Sequence, residues 1–266
     1  LCCIVAAYIM HGAVEQGISG PGAWVYILGG IAAALAVGAA CGLINGLVVA
    51  NFSVPPMLVT MATSSIFMGI GIILTEGKTV SKTPAEFTYF GNHTLLGLPY
   101  MLWLLILTIL ATALILNRTQ FGFDVRMVGS NAKASHYTGI NVNRVLVKAY
   151  LYSGVVCALC GLEILARTDT AKSDYALTYT FQAILCAVLG ATNPNGGFAK
   201  VSCMVLSLAA LQFLSSGFNM LRLGGYFKEF TWGLLLIVVL SLEYLSQELK
   251  RKQSLRELAR RHQKKP

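Results

Sequence analysis

Eight runs of apolar residues, at about 1–14, 23–50, 54–75, 98–117, 145–166, 176–192, 201–217 and 229–247, take up most of this sequence. A helix rises 1.5 Å per residue, so a run of about 20 residues matches a hydrocarbon core about 30 Å thick. Most of these runs are long enough to cross it. The first would make a helix of roughly 21 Å, which is too short. Two others, 176–192 and 201–217, are short enough to require tilt or local thinning of the bilayer. The chain therefore reads as an all-α polytopic transmembrane bundle of eight spans, the first incomplete. Residue 1 is Leu and no basic region precedes the first run, so the expectation is a chain lacking its natural N-terminus rather than one with a signal peptide.

Composition supports this reading. Hydrophobic residues make up 56% of the 266 positions and charged residues 12%, with mean hydropathy +0.67. Soluble domains carry about 25% charged residues. That excludes an ordinary cytosolic enzyme, a nucleic-acid-binding protein and a disordered chain. The net charge of +9 is then a question of where the basic residues sit. Alternating the spans places 118–144, 193–200 and 248–266 on one side; counted to the neighbouring span ends, and so with Lys148, that side has 14 Lys and Arg, against 6 on the other. The richer side reads as cytoplasmic. Residues 1–247 form the permeating domain on this reading, and 248–266, with eight basic residues, a cytoplasmic tail.

No constellation supports covalent chemistry. Gly77-Lys78-Thr79 resembles the end of a phosphate-binding loop, but the first glycine of that loop would fall on Ile72. The seven Cys lie mostly in apolar runs, and Cys157 and Cys160 are expected to pack in the core. The four His are scattered. The expectation is a non-enzyme without cofactor or metal. Glu163 and Arg167 stand i, i+4 near the outer end of a span; they read as an interfacial ion pair or as part of a polar lining. Asn45, Thr60, Thr63, Gln182 and Asn219 are uncharged polar groups in or beside spans and are the candidate pathway residues. No Asp stands in the middle of a span, where an ion-driven pump would usually place a carboxylate. That leans towards transport powered from outside the membrane.

The segment 117–144 is too long for a turn between spans. Asn131 can cap a short helix over 132–138, and Gly139 can end it in the left-handed conformation. A helix bracketed by Gly129 and Gly139 is a rigid knob suited to docking a cytoplasmic partner. Small Ala132 and Ala134 would allow that partner a close approach.

The segment Arg126-Met-Val-Gly129-Ser-Asn131-Ala132-Lys-Ala134-Ser135-His-Tyr-Thr138-Gly139-Ile-Asn resembles the cytoplasmic loop of bacterial ribose-type ABC importer permeases. The likeness extends to about residue 247, through Asn45-Gly46, Pro55-Pro56, Leu96-Gly-Leu-Pro99, Leu189-Gly190 with Thr192, Gly196-Gly197, and Gly217 with Asn219. It implies a membrane domain of about ten helices in the bacterial inner membrane, with a cytoplasmic C-terminus. It also implies a second permease copy or related permease, an ABC ATPase subunit bound at the loop, and a periplasmic sugar-binding protein on the far side. Arg126, Gly129, Asn131, Ala132, Ala134, Ser135, Thr138 and Gly139 are then the ATPase-coupling residues. Thr180 and Gln182 replace two carboxylates common in the family, a departure that bears on the solute rather than the fold. The competing reading, from composition alone, is a stand-alone secondary transporter or channel.

Overall fold

The computed structural model describes residues 1–15, 21–52, 54–95, 97–190, 192, 200–222, 224–225, 227–228, 230–242 and 245. The basic tail 248–266 lies outside the described residues. The chain divides into two compact units, Leu1–Tyr175 and Ala176–Pro266.

The first unit is built from α1 (Cys2–Glu15), α2 (Pro21–Phe52), α3 (Pro56–Thr75), α4 (Ala85–Asn92), α5 (Tyr100–Arg118), α6 (Gln120–Ser130), α7 (Ala132–Tyr137) and α8 (Val142–Thr168). Two-residue strands β1 (Val80–Ser81), β2 (Thr94–Leu95), β3 (Leu98–Pro99) and β4 (Thr170–Ala171) lie in the connections. Pro55 precedes α3 and Pro56 opens it, where a missing N–H costs nothing. In the second unit are α9 (Tyr175–Leu189), α10 (Val201–Met220) and α11 (Phe230–Leu242).

Each of the eight apolar runs contains a helix among the described residues. Among the described residues, five helices are long and apolar enough to cross a membrane: α2, α3, α5, α8 and α10. Helices α1, α9 and α11 are apolar but shorter. The chain is thus an all-α polytopic membrane protein. Helix α10 runs three residues past the expected end of its run, and α9 stops three residues before.

The centre of the first unit is the antiparallel seam between α2 and α8. Gly38, Gly42 and Gly46 recur every fourth residue, so they share one face of α2. A Cβ added at Gly38 would lie 2.6 Å from the Gly154 carbonyl oxygen and 2.7 Å from the Ala158 Cβ. At Gly42 it would strike the Tyr150 carbonyl oxygen, and at Gly46 it would lie 2.9 Å from the Val147 Cα. Small residues let the two backbones touch, the packing available where no hydrophobic force separates helix from lipid. Helix α1 completes the unit. Ile4, Ala6, Ala7 and Met10 are buried with Ile27 and Ala34 of α2 and Leu162, Leu165 and Ala166 of α8.

The connections identify the two ends of this unit. Strands β1 and β4 pair antiparallel, Val80 with Ala171 and Ser81 with Thr170. Asp169 ends α8 in the left-handed conformation, and its Oδ1 accepts from the Thr83 hydroxyl at 2.6 Å and the Thr83 amide at 2.8 Å. Segments 76–99 and 169–175 therefore meet at one end. Because α8 runs from Val142 to Thr168, segment 118–141 lies at the other. In the second unit, Leu185 and Cys186 of α9 are buried with Leu211 of α10 and Trp232 of α11.

Three expectations are corrected. Gly129 does not bracket the short helix but lies inside α6, and the break falls at Asn131. Glu163 and Arg167 form no ion pair among the described residues; Arg167 is exposed and Glu163 half-buried. Glu163 is nine residues from Gly154, about 180° around the helix, so it leaves the packed seam. Cys157 and Cys160 are exposed rather than packed.

Candidate coupling site

Segment 118–141 folds as two short helices on a fixed base. Helix α5 ends at Arg118, and Thr119 turns the chain into α6, its side chain accepting from the Gly122 amide at 3.3 Å. Gly122 is buried against the end of α5. A Cβ there would lie 2.6 Å from the Ile115 carbonyl oxygen, so only glycine permits so sharp a corner. Arg126 reaches back from α6 and donates to the Leu116 carbonyl and, at 2.6 Å, to Asn117 Oδ1. It satisfies groups that the end of α5 leaves open and adds charge complementary to the helix C-terminus.

Asn131 adopts an extended conformation and starts α7. Its Oδ1 accepts from the Ala134 amide at 3.1 Å. At the far end Gly139 has φ +87°, its amide donates to the His136 carbonyl at 3.1 Å, and the Ile140 amide donates to the Ser135 carbonyl at 3.1 Å. These paired bonds are the left-handed C-terminal motif that glycine favours. Ser135 is 1% exposed and its hydroxyl donates to the Asn131 carbonyl at 2.9 Å. The Thr138 hydroxyl donates to the Ser135 carbonyl at 2.8 Å. Asn141 then caps α8, accepting from the Arg144 amide at 3.1 Å.

The eight loop residues therefore divide by role. Arg126, Asn131, Ser135, Thr138 and Gly139 hold the segment together internally. Gly129 is part of α6. Ala132 and Ala134 are exposed on α7 beside Lys133 and His136, and Tyr137 is 90% exposed. Phe123 of α6 is 59% exposed. The surface offered outward is small at its middle and aromatic at its edge.

The candidate pathway residues lie on other elements. Thr60 donates to the Pro56 carbonyl at 3.0 Å and Thr63 to the Val59 carbonyl at 3.0 Å, so both hydroxyls are satisfied on α3 itself. Asn45 differs: its Oδ1 is buried and has no hydrogen-bond partner among the described residues. In the second unit Gln182 is half-buried on α9, and Asn219 is exposed near the end of α10, where it accepts from Lys228. Sequence reasoning missed Gly122, Asn141 and Asp169. A glycine between two phenylalanines, Phe121 and Phe123, carries no warning that a helix end presses against it.

A family model described as branched-chain amino acid transport system / permease component matches residues 1–240. The chain belongs to this permease family. Among its relatives, the autoinducer 2 import system permease protein LsrD of Photorhabdus temperata is 31% identical over 210 residues, 77% of this chain and 63% of that protein. The ribose import permease protein RbsC of Escherichia coli K12 is 29% identical over 242 residues, 90% of this chain and 75% of that protein. The L-arabinose transport system permease protein AraH of the same strain is 29% identical over 208 residues, 78% of this chain and 63% of that protein. The chain thus spans 63% of the length of LsrD and AraH and 75% of RbsC. No solved structure matches. The family resemblance carried by 126–141 agrees with these relatives.

Proposed function

We propose that this permease is the membrane subunit of an ATP-binding-cassette importer, carrying a monosaccharide or related small carbohydrate across the bacterial inner membrane. A separate ATPase hydrolyses the nucleotide, and a periplasmic binding protein delivers the solute to the end formed by 76–99 and 169–175. A second permease, identical or related, completes the passage. All eight apolar helices cross or enter the bilayer, and the intact bundle has about ten. The C-terminus is cytoplasmic, in keeping with the 14-to-6 distribution of Lys and Arg. The solute class rests on the names of RbsC and AraH, and the Asn, Gln and Thr side chains suit hydroxyl-rich cargo.

The observation that carries the proposal is the construction of α7. It is exposed on its outer surface, capped at both ends, and tied through α6 to the end of α5 and through Asn141 to the start of α8. A force applied to such an element reaches two long apolar helices without first being absorbed by slack. Ala132–Thr138 sits in a surface groove of the ATPase on this reading. Asn45 is the strongest pathway candidate, because a buried amide oxygen without a donor favours any arrangement that supplies one. Thr60, Thr63, Gln182 and Asn219 are the others.

Ala134→Trp tests the coupling role. The bulky side chain leaves α7 capped but fills the space between α7 and its partner. Expected is a complex that still inserts and still docks the binding protein, while ATP hydrolysis no longer drives uptake. Normal uptake by this variant would remove α7 from the mechanism.

A further inference from the structure

A groove of about 360 Å³ lies between α6 and the start of α8, lined by Phe121 and Asp124 on one side and by Ile140, Arg144, Val145 and Lys148 on the other. It lies wholly in the first unit, behind α7. Arg144 and Lys148 are i, i+4 and stand on the same face of α8. Both are exposed, and among the described residues neither forms an ion pair or a side-chain hydrogen bond; nor does Asp124. Lys148 stands three residues inside the apolar run that begins at Val145. A basic side chain near the end of an apolar helix can reach the level of the lipid phosphates when that helix spans a bilayer, and it is stabilised there. Val145 is buried, and Phe121 and Ile140 are half-buried, so the groove has an apolar floor beneath a charged rim.

The rim is not uniformly basic. Two cations on α8 face one carboxylate on α6. A simple anion would meet attraction from Arg144 and Lys148 and repulsion from Asp124. A headgroup carrying both a phosphate and a primary ammonium meets attraction at both positions. The N-terminal end of α8, a 27-residue helix, adds favourable potential on the phosphate side. We propose that this groove binds the phosphoethanolamine headgroup of a bilayer phospholipid, its phosphate on Arg144 and Lys148 and its ammonium on Asp124. A primary ammonium donates hydrogen bonds to a carboxylate, and a trimethylated one does not, so the site distinguishes phosphatidylethanolamine from phosphatidylcholine. Bound there, the lipid wedges α6 against α8 immediately behind α7.

The test is lipid retention by the purified full chain, taken from bilayers holding equal amounts of phosphatidylethanolamine, phosphatidylcholine and phosphatidylglycerol and read by native mass spectrometry. The wild type is expected to retain phosphatidylethanolamine over phosphatidylcholine by about fivefold, the scale of one net hydrogen bond at an exposed site. Asp124→Asn should abolish that preference while phospholipid is still retained. Arg144→Gln with Lys148→Gln should lower retention of every phospholipid, and Lys148→Arg, which keeps the charge, should leave it unchanged. Far-UV circular dichroism confirms that each variant is folded. Equal retention of the two lipids by the wild type, or an unchanged preference in Asp124→Asn, overturns the proposal. Displacement of the lipid by millimolar inorganic phosphate would assign the groove to a soluble phosphate instead. Absence of retained lipid together with failure of the Arg144/Lys148 variant to bind the ATPase would assign it to the partner.

Discussion

Single side chains in this protein hold local geometry that nothing else in the sequence supplies. Asn131 and Gly139 were legible in advance because a cap acts within four residues, where sequence order and spatial order coincide. Removing the Asn131 cap should cost about 1 kcal/mol of local stability. In Asn131→Ala, hydrogen exchange at the amides of Ala134 and Ser135 should quicken while α8 keeps its protection; unchanged exchange would show that the cap is dispensable. Arg126 stands in the segment that the sequence singles out, and it also ties α6 to the end of α5. Its partners, Leu116 and Asn117, are known only once α5 is seen to end beside them. Asp169 accepts two bonds from Thr83, 86 residues earlier, a separation that no local pattern reveals. Losing charge-assisted bonds at a half-buried site costs about 2 kcal/mol. Asp169→Ala should lower the melting temperature, and in a double-mutant cycle Thr83→Val should add little to it. Additive losses would mean that the two residues act independently.

At the scale of elements, the seam between α2 and α8 dominates the first unit. Its small residues were visible on α2, but the partner helix was not, because Gly154 lies more than a hundred positions further along and its own helix carries no such crowding. The short connecting elements were the least legible. Helix α6 was hidden by Gly122 and Gly129, which count against a helix by propensity and are outweighed here by the Thr119 cap and the close fit to α5. The seam has no room for side chains. Gly42→Leu should lower thermal stability in detergent by more than about 2 kcal/mol. Gly69→Ala, on α3 with open space around it, should change little. Comparable losses from both would indicate that the seam is no tighter than the rest of the molecule. Cys157 and Cys160 are exposed on α8.

For the whole molecule, apolar runs and the distribution of charge were enough to read an all-α membrane bundle. They could not fix the number of crossings, since α1, α9 and α11 fall below the length that settles the matter. Orientation can be measured independently. Lys82→Cys and Lys172→Cys should react with an impermeant thiol reagent from outside intact cells, and Lys133→Cys should be protected; the reverse pattern would invert the topology. The central claim is that α7 is where ATP hydrolysis reaches the membrane helices, and the most direct measurement is contact. In a cysteine-free background, Ala134→Cys should form a cross-link to single cysteines along one groove of the ATPase, with Lys82→Cys at the opposite end as the unreactive control. The account predicts a cross-linked pair that blocks uptake until it is reduced. No cross-link from position 134 to any position on the ATPase, in a complex that still transports, would contradict it.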